Sequence, residues 1–158
     1  MRQFEIAKRV ENGIKIPAYK SVKAPTYKTR YSAGADLFCA EDTIIPAGKL
    51  GRIHTGIKAK MENDEVLLLY SRSSTPSKKG LMLANGVGVI DADYYGNPEN
   101  DGEIMMEFYN FTDKDVEIKA GEAIGQAIFT KRLFPNCGFV IKSEIRTGGY
   151  GSTDNIVK

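Results

Sequence analysis

The chain contains no tryptophan, a single histidine, two cysteines and no apolar run longer than a few residues, the stretch 66–69 being typical. Each shortage removes a class of protein. A membrane-spanning helix needs about 20 consecutive apolar residues, so none is expected. A secretory signal needs an apolar core of about 7 to 15 residues, whereas Met1-Arg2-Gln3-Phe4-Glu5 leads straight into mixed polar sequence. A cytoplasmic location is therefore the expectation. Without a signal segment, the widely separated Cys39 and Cys137 read as reduced structural thiols rather than a disulfide. One histidine and two scattered cysteines supply no ligand set for structural zinc or another transition metal, so any metal must be hard and oxygen-bound.

Neither sign of charge is in excess. Lysine and arginine number 22 against 20 aspartates and glutamates, a net charge of +2, so bulk attraction to nucleic acid is not implied and any basic site is local. The hydrophobic fraction of 42% is that of a globular protein and excludes a disordered chain. A length of 158 residues fits one domain with a proper core.

The clearest periodicity present is two. Ile53, Thr55, Ile57, Ala59 and Met61 alternate with His54, Gly56, Lys58 and Lys60, which predicts one strand with a single buried face. Similar short segments recur at 4–10, 66–70, 86–90, 104–109, 116–118, 124–129 and 139–143, separated by turn residues such as Asn63-Asp64, Asn97-Pro98 and Ala120-Gly121. Many short strands and no long amphipathic stretch predict an all-β barrel or jelly roll. One short helix is expected where Ser74 or Thr75 can cap, Pro76 fits the first helical position and Gly80 can end the turn. Residues 15–30 carry five basic residues and no acid, with Pro17, Tyr19, Pro25 and Tyr27 interleaved. With no nucleic-acid module beside it, this stretch reads as an exposed loop. The tail 147–158 is rich in Gly, Ser and Thr and reads as mobile unless a ligand or partner orders it.

Five stretches carry chemistry. In Tyr70-Ser71-Arg72-Ser73-Ser74-Thr75-Pro76 a guanidinium and two hydroxyls meet at a helix start, an arrangement suited to an anion. Taken alone it is equally compatible with a helix cap and a buried ion pair. In Gly86-Val87-Gly88-Val89-Ile90-Asp91 an apolar strand ends in a carboxylate, which can orient and deprotonate water or simply cap a turn. Asp36, in Ala33-Gly34-Ala35-Asp36-Leu37, can hold hydrated magnesium or cap a turn. Gln126 puts an amide on the same strand face as Ile124 and Ile128, and needs backbone or ligand partners there. Arg146-Thr147-Gly148-Gly149-Tyr150-Gly151-Ser152-Thr153 joins a cation, a flexible backbone, an aromatic ring and hydroxyls, a set that can wrap phosphates or form an ordinary tail.

Read in order, these stretches resemble the five motifs of the trimeric deoxyuridine triphosphatase (dUTPase) family, from about Ser32 to Thr153. The first is Ala33 to Leu37, the second Arg72-Ser73-Ser74 with Lys78 and Gly80, and the third Gly88 to Asp91 with Tyr94 and Gly96. The fourth runs from Gly121 to Gln126, the fifth from Gly148 to Thr153. The resemblance implies a jelly-roll-like β-barrel of the dUTPase type over residues 1–145. A mobile glycine-rich arm, 146–158, would close over a neighbouring subunit's active site in a homotrimer with shared sites.

The implied reaction hydrolyses dUTP to dUMP and pyrophosphate, limiting uracil incorporation into DNA and supplying dUMP for dTMP synthesis. By the same resemblance Asp91 activates the water that attacks the α-phosphorus. Arg72, Ser73, Ser74 and Gln126 hold phosphates, and Asp36 holds Mg2+ through water. Asn85, Val89 and Ile90 belong to the uracil hairpin, and Tyr94 packs under the deoxyribose. Tyr150 stacks on uracil, with Arg146, Gly151, Ser152 and Thr153 toward the phosphates. Direct nucleic-acid and membrane partners are not implied.

The pattern departs from the family in three places. Ser71 stands where Pro is usual, residues 98–103 read as an insertion, and Arg146 is one residue closer to the aromatic than is common. Two other readings compete with the hydrolase: a dCTP deaminase, which shares parts of the motifs, and a nucleotide-responsive binding protein using the basic loop and the insertion as partner surfaces.

Overall fold

Alternating apolar residues, cut every few positions by turns, fold into short antiparallel strands around one core. The computed structural model describes residues 1–138 and Val140. In chain order the strands are β1 (Gln3–Ile6), β2 (Lys8–Glu11), β3 (Ile14–Pro17), β4 (Ala35–Phe38), β5 (Thr43–Ile45), β6 (Leu50–His54), β7 (Ile57–Lys60) and β8 (Glu65–Ser71). The one α-helix among the described residues, α1 (Thr75–Lys79), precedes β9 (Leu81–Leu83), β10 (Gly88–Asp91), β11 (Met105–Asn110), β12 (Val116–Ile118) and β13 (Ala123–Lys131). Strands distant in sequence become neighbours, in a four-stranded sheet ordered β10-β8-β13-β4, a three-stranded sheet β6-β11-β9, and the pairs β1-β7, β12-β5 and β2-β3. The result is the expected all-β, jelly-roll-like fold with one short helix.

The inward-facing set, including Leu37, Ile45, Ile53, Leu67, Met106 and Phe108, is essentially inaccessible to solvent. Full burial of such side chains contributes about 1.5–3 kcal/mol each. Period two is clearest on β8, where Leu67 and Leu69 are buried and Leu68 and Tyr70 only partly so. No helix among the described residues is long and apolar enough to cross a membrane. Cys39 and Cys137 are free thiols, as expected. Burial pushes the Cys39 thiol up, and its Sγ donates to the Glu41 carbonyl at 2.8 Å.

The single strand expected over 53–61 is two strands. Thr55 turns its hydroxyl onto the Ile104 carbonyl at 2.6 Å, and Gly56 adopts φ 66°, a left-handed turn that breaks the ladder. Lys58, expected on the solvent side, is buried because its Nζ meets Asp101 Oδ2 at 2.8 Å. The segment 4–10 also divides: Ala7 leaves the β1 ladder to donate to the Gly56 carbonyl and accept from the Ala18 amide. The basic stretch 15–30 begins in a hairpin rather than a loop, since Asn12-Gly13, both at positive φ, turn β2 into β3. At α1, Ser74 occupies the cap position without a side-chain cap hydrogen bond, Pro76 is the second helical residue, and Gly80 ends the turn. The expected strand at 139–143 and the arm 146–158 lie outside the described residues, Val140 apart.

One buried carboxylate ties these departures together. Glu103 accepts from the Gly56 amide at 3.0 Å and the Tyr19 hydroxyl at 3.3 Å, and lies 3.2 Å from His54 Nδ1. The hydrogen bond to Glu103 holds the His54 imidazole above its ordinary value, against the opposing effect of burial. A group whose folded pKa is raised contributes stability that is complete below its unfolded value, about 6.5 for histidine, and is lost as pH rises through the folded value. Urea midpoints measured across that range are therefore expected to fall with rising pH in the wild type and to fall less in His54→Gln. Parallel curves for the two proteins would refute the coupling.

Candidate active site

The first cluster forms where three strands carry polar residues in register. Asp36 on β4 pairs with Gln126 on β13, which pairs with Tyr70 on β8, so the three side chains share one face of the sheet. Small residues make this possible. A Cβ on Gly34 would lie 2.9 Å from Gln126 Oε1, so only glycine leaves the amide where it is. Past Ser71 the chain leaves the sheet, and Arg72 stands with its Nε 3.5 Å from Asp36 Oδ1. Lys28 Nζ stands 3.5 Å from the other oxygen of the same carboxylate. At those separations the contacts are electrostatic rather than well-formed hydrogen bonds. They aim Arg72 while engaging one of its five N–H donors. Ser73 is exposed and Ser74 half-buried beside it. A Lys79–Glu122 ion pair ties α1 to the turn before β13.

The second cluster is the connection from β9 to β10 and the 3-10 turn after β10; the expected hairpin is absent there, because β9 pairs with β11 and β10 with β8. Asn85 and Gly88 line a cavity of about 400 Å³ together with Leu50, Leu83, Met105 and Glu107. Val89 is exposed, Ile90 packs partly against the core, and Asp91, half-buried, ends β10 at the start of that turn, Ala92–Tyr94. Tyr94 is buried to 5% exposure, and its hydroxyl donates to the Glu103 carbonyl.

The sheet keeps these clusters apart. Asp91 lies opposite Val66 at one end of β8, while Gln126 lies opposite Tyr70 toward the other. Four residues of extended strand span roughly 13 Å, and Arg72 is two residues farther on. A general base needs hydrogen-bond reach of the water it activates. A single chain thus presents two candidate half-sites, one around Asp36, Arg72 and Gln126 and one around Asp91 and the turn that carries Tyr94. Arg146, Tyr150, Gly151 and Ser152 lie outside the described residues.

No group of three or more His, Cys, Asp or Glu side chains among the described residues could cage a metal. Magnesium does not need one. It retains several waters and is commonly bound by one or two carboxylates plus substrate phosphates, which the single carboxylate of Asp36 fits. Lys28 is the site residue that sequence reasoning missed. Its only signal was membership of the basic stretch, and what brings it in is the bridge between Thr26 and Asp36.

The dUTPase family model matches residues 20–153. The chain is 42% identical over 153 residues to the deoxyuridine 5'-triphosphate nucleotidohydrolase of Lactococcus lactis subsp. lactis, covering 97% of each chain. Among solved structures it is similar to the dUTPase of Streptococcus mutans, with a TM-score of 0.76 and 43% identity, covering 85% of this chain and 98% of that one. A dUTPase from phage phi11 of S. aureus, at 18% identity and TM-score 0.68, covering 90% of this chain and 98% of that one, shares the fold.

The crowding at Gly34 is checkable. Gly34→Ala displaces the far end of a flexible side chain, so the thermal midpoint should move by only a few degrees. Losing one well-placed hydrogen bond to a ligand should weaken pyrophosphate binding, measured by calorimetry, about threefold to tenfold. Unchanged affinity would mean that the Gln126 amide does not face the anion.

Proposed function

The chain belongs to the dUTPase family and is an enzyme that hydrolyses dUTP to dUMP, and from that premise we propose that its active sites are shared between subunits of a homotrimer in which Asp91 is the general base. The observation that carries this reading is the separation along β8 of Asp91 from the Arg72 cluster. A second copy must supply the missing half. A further feature supports self-association: Leu50, Tyr109 and Met82 lie in register across β6, β11 and β9, and all three are exposed. Large apolar rows of this kind mark contact surfaces.

In this reading Asp91 accepts a proton from water as the water oxygen attacks the α-phosphorus. The bond from that phosphorus to the bridging oxygen breaks, leaving dUMP and pyrophosphate. Arg72, Ser73, Ser74 and Gln126 bind the phosphates of the substrate, with Arg72 aimed by its contact to Asp36. Magnesium held through water by Asp36 would neutralise and orient the triphosphate, and the phage phi11 relative holds a structural Mg(II) ion. Asn85, Val89 and Ile90 present backbone and side chains to uracil, and the cavity beside Asn85 offers room for a ring. Cytosine carries the opposite donor and acceptor pattern on that edge. Tyr94 packs under the deoxyribose. The arm 146–158 closes over a neighbouring subunit's site, with Tyr150 on the base and Arg146, Gly151 and Ser152 toward the phosphates. The enzyme works on the nucleotide pool of the cytoplasm, limiting uracil incorporation into DNA and supplying dUMP for dTMP synthesis.

Assayed with magnesium against dUTP, dCTP, dTTP and UTP, the protein is expected to release pyrophosphate selectively from dUTP. Asp91→Asn should bind dUTP and fold normally yet lose about 10²-fold or more in kcat; undiminished turnover would refute the base assignment. Removing residues 147–158 should cripple hydrolysis while leaving a species of three times the mass of the shortened chain in light scattering. Sharing of sites has its own test. Asp91→Asn and Arg72→Ala chains, each inactive alone, should recover activity when unfolded together and refolded as mixed trimers. No recovery would show that both residues of a working site come from one chain.

A further inference from the structure

The segment after the third motif, 95–103, folds back around one phenol. Tyr94 is 5% exposed. Its hydroxyl donates to the Glu103 carbonyl at 3.3 Å and accepts from Asn100 Nδ2 at 2.7 Å. Asn100 is fixed in turn: its Oδ1 accepts the Gly102 amide at 3.0 Å and its carbonyl the Glu103 amide at 3.1 Å. The backbone closes the ring, since the Asn97 amide donates to the Tyr94 carbonyl and the Gly96 amide to the Asp101 carbonyl. A Cβ on Gly102 would stand 2.4 Å from the Tyr94 carbonyl oxygen, so the return strand lies directly against the residue it encircles.

Both sides of the loop are anchored to the barrel. Asp101 accepts from Lys58 Nζ at 2.8 Å and from the Lys8 amide at 2.9 Å. Burial pushes the Asp101 carboxyl up, but these two donors outweigh it and hold the group below its usual range. Glu103 is held by the Gly56 amide and His54. The inserted residues are therefore part of the wall, with Asn100 as the one side chain that reaches from them to the Tyr94 hydroxyl.

We propose that this segment is a brace that holds the Tyr94 ring in place, and that Asn100 is a positioning residue through which the enzyme discriminates deoxyribose from ribose. The inference rests on the reading that Tyr94 packs under the sugar. A wall can reject one extra hydroxyl only if it does not retreat when pressed, because a displacement of an ångström is enough to accommodate it. The Tyr94 hydroxyl has one donor and one acceptor engaged, and shifting the ring would leave both buried and unpaired. Without Asn100 the hydroxyl keeps one weak partner and the ring gains freedom to move.

The test is the ratio of kcat/KM for dUTP to that for UTP, measured with magnesium in the full chain. Asn100→Ala and Tyr94→Phe break the same hydrogen bond from its two ends. Asn100→Ala is expected to lower the ratio about threefold to tenfold, the worth of one such bond, Tyr94→Phe, which also loses the bond to the Glu103 carbonyl, at least as much, and the double variant no further than Tyr94→Phe alone. A merely structural role for Asn100 would depress both substrates together and leave the ratio unmoved, which would overturn the proposal. Tyr94→Ala separates the wall from its brace. If it collapses the ratio while Asn100→Ala leaves it unchanged, the sugar wall stands and the brace fails; if Tyr94→Ala leaves the ratio unchanged, both fail. Should Asn100→Ala not fold, Tyr94→Phe decides alone, and a wild-type ratio there would overturn the brace.

Discussion

The antiparallel pairing of β13 with β8 on one side and β4 on the other is the constraint from which the site arises. Backbone ladders set register, and register sets which side chains share a face. A slip of one residue in either ladder would turn Asp36 or Gln126 away from the other and leave Arg72 without the carboxylate that aims it. The same ladder fixes distance. Because β10 pairs with the opposite half of β8, the carboxylate at its end is held away from Asp36, Arg72 and Gln126 as firmly as those residues are held together.

Three buried polar groups do much of the remaining positioning, each through several partners or a close ion pair. Asn110, inaccessible to solvent, donates to the Ile45 and Lys114 carbonyls and accepts from Thr112, which fixes the turn after β11 against β5. Glu103 links β6, the turn at Gly56 and Tyr19. The Lys58–Asp101 pair fastens the inserted loop to β7. Polar networks of this kind are costly when half satisfied and specific when complete. Here they replace the rigidity that a chain so poor in helix and disulfide lacks.

Much of the fold was legible because it is local. Alternation announced β8, β11 and β13, and turn residues marked most strand ends. What escaped was decided by contacts distant in sequence. The break at Thr55 and Gly56 depends on Ile104 and Glu103, some fifty residues away. Lys58 is buried because of Asp101, and Lys28 reaches the site because Thr26 bridges to Asp36. The candidate site residues rest on the order of five motifs, since none of the five decides its own role. That Asp91 and Arg72 belong to different half-sites was not readable from those motifs, because strand register is not written in either segment.

The separation of half-sites along β8 has a consequence for how the protein begins its working life. A chain leaving the ribosome carries both candidate half-sites and yet holds Asp91 out of reach of Arg72. In the shared-site assembly proposed above, hydrolysis starts only once chains have met, so the onset of activity follows mass action rather than folding. In that assembly an isolated copy is inert toward the nucleotide pool however well it is folded, and a chain with one damaged half still lends its intact half to a neighbour. Defects in such an assembly are diluted across sites rather than confined to the molecules that carry them.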